Sequence, residues 1–167
     1  KDGRVLDSDI VVSNADAAWT YRHLIKPEHR KRWTDQKIER SHFSNGLFVW
    51  YFGTRGQYPD VPHHSVILGP RYQGLLDDIF KRKVLAEDFS LYLHRPTETD
   101  PSLAPKGCDT FYVLAPVPHL DADVDWHSYA ETFKERICRR LEETMLPGLR
   151  DRIVTSRLLT PQDFHDR

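Results

Sequence analysis

The segment Thr110–Pro116 presents apolar side chains to both sides. Phe111, Val113 and Ala115 point one way, Tyr112 and Leu114 the other. A strand of this kind is typically interior to a sheet and covered on both faces. An earlier segment, Phe89–Arg95, alternates instead. Phe89, Leu91 and Leu93 share one face, and Ser90, Tyr92 and His94 the other. Between the two, PTETDPSLAPKGCD is dense in Pro, Gly, Asp, Ser and Thr and reads as a loop. The stretch Leu85–Leu120 therefore predicts two strands enclosing something apolar, either a core alone or a core and a ligand.

The other elements are read around this pair. The β-branched run Ile10-Val11-Val12 predicts a short buried strand over Ser8–Ser13. Asp16 is placed to cap a helix over Ala17–Ile25. That corner is either an ordinary strand–helix turn or one that presents amides to an anion. Pro27 opens a predicted second helix to Arg40, very polar, with Trp33 and Ile38 as anchors. Its basic cluster reads as a solvated face or as a contact with anionic lipid headgroups. Ser41–Gly53 predicts a strand with Leu47, Val49 and Tyr51 on one side and Phe48, Trp50 and Phe52 on the other. Asn45-Gly46 at its start marks a bulge or a close backbone approach.

A further strand is predicted at His63–Leu68. A helix follows from Pro70, with Tyr72, Leu75, Leu76, Ile79 and Phe80 on one face and Asp77 and Asp78 in solvent. Asp125 is expected to cap a helix over Trp126–Met145, whose apolar residues recur at i, i+3, i+4 and i+7. Pro147-Gly148 ends it. A turn at Leu149–Arg152, a strand at Ile153–Leu158 and a final helical turn capped by Thr160 complete the pattern. The fold class is α+β: a mixed or antiparallel sheet of about five strands, with helices mainly on one face.

The 24 basic and 25 acidic residues leave a net charge of -1, so no global field favours nucleic acid. Cys108 and Cys138 are expected as reduced thiols of a cytosolic protein, with a disulfide as the alternative. No apolar run approaches the ~18 residues of a membrane span. The first residues already read like the middle of a domain. The chain is therefore expected to be a piece of a longer protein, or one trimmed behind a tag or propeptide. There is no Gly-rich phosphate loop, no G-x-S-x-G, no C-x-x-C and no H-E-x-x-H. His63 and His64, adjacent on a strand, should face opposite sides and share no ion. His94, Cys108 and His119 can meet near one end of the strand pair but lack the usual ligand spacing, so no metal is expected.

Four segments carry a resemblance: NGLFVWYFG (Asn45–Gly53), GPRYQGLLDDIF (Gly69–Phe80), Leu85–Leu120 and PGLRDRIVTSRLLTPQDF (Pro147–Phe164). They resemble, at length and in order, the bacterial-type phytoene desaturases, carotenoid desaturases of the flavin-dependent amine oxidase superfamily. Gly3–Asp16 looks like the strand by which such proteins return to the flavin domain. The resemblance implies an FAD enzyme that dehydrogenates phytoene stepwise, towards lycopene or a related carotene. It implies an apolar substrate tunnel, a peripheral membrane protein of the inner membrane, and partners limited to carotene, membrane surface and the flavin-binding segments of the same chain. The G-x-G-x-x-G fingerprint and the Gly-rich flavin segment of that family do not occur here.

Residues 1–25 are accordingly expected to be a remnant of the flavin-domain edge, and 26–167 a fragment of the substrate-binding domain that holds no FAD and is inactive alone. Asn14 and Asp16 are candidates for the flavin vicinity. Phe48, Trp50, Tyr51, Phe89, Leu91, Tyr112 and Leu114 are candidates for substrate binding, and His94 and Arg95 for proton transfer. The competing class is a non-catalytic lipid- or partner-binding domain.

Overall fold

The computed structural model describes residues 2–166. They form two compact units, divided between Phe43 and Ser44. The boundary expected between residues 25 and 26 concerned the origin of the segments, which a division by contacts does not address.

In the first unit, the expected strand Ser8–Ser13 is absent. Ile10, Val11 and Val12 are more than four-fifths exposed, in chain without regular structure. A strand needs a partner for its amides and carbonyls, and none pairs with this segment among the described residues. Helix α1 spans Ala17–His23, where Asp16 accepts a hydrogen bond from the Trp19 amide at 2.8 Å. The long helix expected from Pro27 to Arg40 is instead a 3-10 turn, Pro27–His29, and a short helix α2, Asp35–Glu39. Trp33 and Ile38 provide no continuous apolar stripe to hold the full length. Thr34 restarts the helix by accepting from the Lys37 amide at 3.3 Å. Trp33 stacks on Tyr21 at 5.6 Å, with the Lys37 ammonium 4.6 Å from its ring.

The second unit is built on an antiparallel sheet of five strands: β1 Gly46–Arg55, β2 His64–Ile67, β3 Leu91–His94, β4 Cys108–Val117 and β5 Ile153–Leu159. Their spatial order is β2-β3-β4-β1-β5. The strand with two apolar faces, β4, is central, as its composition requires. Gly46 begins β1 because a Cβ there would stand 2.8 Å from the Pro118 carbonyl oxygen.

One face of the sheet is dry. Phe48, Trp50 and Phe52 of β1 lie beside Phe111, Val113 and Ala115 of β4, with Leu91 and Leu93 of β3 alongside. Helix α4, Trp126–Thr144, lies on this face with Asp125 as its cap. Its Phe133 meets Phe48 edge-on at 5.0 Å and Phe89 at 5.1 Å, and Ile137 and Leu141 are fully buried with them. Each such burial stabilises by roughly 1.5–3 kcal/mol. Helix α5, Leu149–Arg152, and helix α6, Pro161–His165, frame β5. Thr160 and Asp163 cap α6 reciprocally.

Between β2 and β3, helix α3 runs Tyr72–Asp77 and widens into a π turn, Asp78–Arg82. Leu75 and Ile79 are buried, but Tyr72 and Phe80 are half-exposed. Asp78 corrects the expectation of a solvated pair. It lies on the same side of the helix as Leu75, three residues before it, and is buried. Arg71 at 3.2 Å and Arg82 at 2.8 Å balance its charge.

Candidate functional site

The opposite face of the sheet carries a row of rings. Tyr51 and Tyr112 are direct cross-strand partners with centroids 5.6 Å apart. Tyr112 lies 5.7 Å from Tyr92 and 4.8 Å from His94. Tyr92 continues to His64 at 5.8 Å. Period-2 alternation puts Leu114 and Val66 on this side as well. Tyr51 keeps 42% of its surface exposed and Val66 68%. Burial, and then a hydrogen bond with Tyr92, push the Tyr112 phenol above its ordinary value. The row is an amphipathic surface of ring faces with polar tips.

Three of the seven expected substrate-binding residues, Tyr51, Tyr112 and Leu114, lie on this open face. The other four are corrected. Phe48, Trp50, Phe89 and Leu91 lie in the packed core beneath α4, at most 8% exposed. Alternation makes one face of each strand face the helix, so these side chains have no surface left for a ligand.

Arg95 is also corrected as a candidate for proton transfer. Its guanidinium is buried and donates to Asp109 Oδ2 at 3.0 Å, to the Val61 carbonyl at 2.9 Å and to Glu98 at 2.6 Å. Asp109, fully buried, also accepts from the Tyr58 amide at 2.8 Å and from Thr97 Oγ1 at 2.7 Å. This network anchors the loop between β3 and β4. Asp109 sits in a run that reads as a loop, so its burial had no signal in the sequence.

His94, by contrast, faces the open side. Its Nε2 lies 2.7 Å from His63 Nε2, and it pairs across strands with His64. Burial, and then the neighbouring His63 and His64, lower its pKa. The expectation that His63 and His64 diverge is thus corrected. His63 precedes the first residue of β2, so the pleat does not govern it. The nitrogens of His63, His64 and His94 lie within 4.8 Å of one another, while Cys108 and His119 are not in that group. Both cysteines are free.

Elsewhere, a groove of about 570 Å³ runs past Arg71, Asp78 and Asp88, but these charges pair with one another. In the first unit Asn14 is exposed, and Asp16 is committed to the α1 cap.

No description of a known protein family matches the chain. Individual proteins do. A neurosporene-forming phytoene desaturase of Rhodobacter capsulatus is 51% identical over 99% of this chain and 33% of its own length. A lycopene-forming phytoene desaturase of Pantoea ananas is 47% identical over 100% of this chain and 34% of its own. An all-trans-zeta-carotene desaturase of Myxococcus xanthus is 40% identical over 98% of this chain and 32% of its own. The chain thus spans about a third of the length of the relatives it matches. An oxidoreductase structure from Methanosarcina mazei aligns with 95% of this chain and 32% of its own, with a TM-score of 0.56 and 18% identity. That likeness concerns the α+β fold.

Proposed function

We propose, for a chain that corresponds in sequence to one third of a phytoene desaturase, that it forms part of the substrate-binding region of an FAD-dependent carotenoid desaturase. Such an enzyme dehydrogenates phytoene stepwise, towards lycopene or a related carotene. The observation that carries this reading is the half-exposed row Tyr51–Tyr112–Tyr92, flanked by Leu114 and Val66 on the face away from α4. A polyene hydrocarbon offers no polar handle. It is held by apolar area and ring faces.

The Asp16 carboxylate is occupied by the Trp19 amide, and Asn14 is in exposed chain. In this reading the redox centre belongs to the other two thirds of such an enzyme. Phytoene dissolves in the bilayer, so the working protein is placed peripherally on the cytoplasmic side of the inner membrane. No helix among the described residues is long and apolar enough to cross a membrane.

Exchange of the matching third of the Pantoea ananas enzyme for this chain tests the reading. With phytoene, FAD and liposomes, the chimera is expected to form coloured carotenes. A chimera that folds and retains flavin but leaves phytoene unchanged sinks it.

A further inference from the structure

We propose that His63, His64 and His94 form a three-imidazole site for a divalent transition-metal cation of the zinc class. The inference rests on local geometry at the Tyr92 end of the ring row, and its test reads metal binding rather than carotene. The three donor nitrogens lie within 4.8 Å of one another. Around a tetrahedral ion with Zn–N bonds near 2.0–2.1 Å, imidazole nitrogens stand about 3.3 Å apart. The His63 and His94 Nε2 atoms, at 2.7 Å, need to part by only about 0.6 Å to take an ion between them. His64, directly opposite His94 in the β2–β3 register, closes the third side.

The surroundings orient two of the rings as ligands. Thr99 Oγ1 donates to the Pro96 carbonyl at 3.3 Å and lies 2.8 Å from His63 Nδ1. It therefore accepts the Nδ1 proton and leaves the His63 Nε2 lone pair free towards His94. The Tyr92 hydroxyl, 2.7 Å from His64 Nδ1, can do the same for that ring. An outer partner that fixes the tautomer is the usual companion of a metal-bound histidine. The His94 Nδ1 is buried with no hydrogen-bond partner among the described residues, so Nε2 is the atom this ring directs to a partner.

On metal entry the His94 proton moves from Nε2 to Nδ1, so that the Nε2 lone pairs of His63 and His94 bind the ion without loss of a proton. The fourth position is left to water. An all-imidazole set suits Zn²⁺, Cu²⁺ and Ni²⁺ and disfavours Mg²⁺ and Ca²⁺, which require oxygen ligands.

The test is calorimetric titration of the 167-residue chain with Zn²⁺, paired with the visible ligand-field bands of Co²⁺. One ion per chain and a tetrahedral Co²⁺ spectrum are expected. His94→Ala should weaken binding at least tenfold, and Thr99→Ala roughly 10- to 100-fold by freeing the tautomer. His64→Gln, at an exposed position, keeps the fold and must still weaken binding, which guards against a misfolded His94 variant. His119→Ala, outside the cluster, should bind as the parent chain does. No Zn²⁺ binding at micromolar concentrations overturns the site, as does binding that survives His64→Gln in a chain with native circular dichroism.

Discussion

Asp109 Oδ2 accepts a hydrogen bond from Arg95 Nε at 3.0 Å, and both side chains are buried. Each charge is tolerable only because the other is there. Replacing either Arg95 or Asp109 by Ala is expected to lower unfolding free energy by ~3–5 kcal/mol, since the partner is left buried and unpaired. Urea denaturation of the two variants measures it. Losses near those of a surface substitution would mean the pair is not desolvated in solution.

The two faces of the sheet should respond unequally to truncation. Phe133→Ala removes the ring that bridges Phe48 and Phe89 and should cost ~3–5 kcal/mol. Tyr51→Ala, on the open face, should cost no more than ~1 kcal/mol. Comparable thermal shifts for the two would contradict the assignment of faces.

The thiols should differ in reactivity. Burial raises the Cys138 pKa and closes access to it, whereas Cys108 is half-buried at the start of β4. A disulfide reagent at mildly alkaline pH is expected to label Cys108 first and Cys138 only in denaturant. Mass spectrometry of labelled peptides reads the order directly.

Asp88 is held below its ordinary carboxylate value chiefly by its hydrogen bond from Arg71. A lowered folded-state pKa stabilises above the unfolded value of 3.8, and that contribution is lost as pH falls through the folded one. Arg71→Ala should therefore raise the Asp88 pKa in a carbon-detected NMR titration. It should also flatten the stability loss below pH 3.8. An unchanged Asp88 titration would show the pair to be broken in solution.

Much of the fold was legible in the chain because its strongest elements rest on local rules. The α4 stripe and its Asp125 cap, the Thr160 cap of α6 and the double-sided β4 follow from helical spacing, capping chemistry and pleat alternation. The same rules failed where local pattern lacked tertiary support. Ile10-Val11-Val12 reads as a strand but pairs with nothing described, and the polar run from Pro27 to Arg40 breaks into a 3-10 turn and the short helix α2. The candidate site was legible only in part. Alternation separated Tyr51 from Phe48 and Trp50, yet could not say which side α4 would cover.

The sequence by itself determined where the strands and the long helix of the second unit lie and which of their side chains share a face, because those depend on residues a few positions apart. Only the tertiary structure decided which face is dry, that Asp78 and Asp109 are buried, and that His63 joins His64 and His94. Each of these depends on groups brought together from separate elements: α4 against the sheet, Arg95 against the loop, β2 against β3. Packing and charge pairing act across space, so the same local pattern leaves Tyr51 open and closes Trp50 into the core.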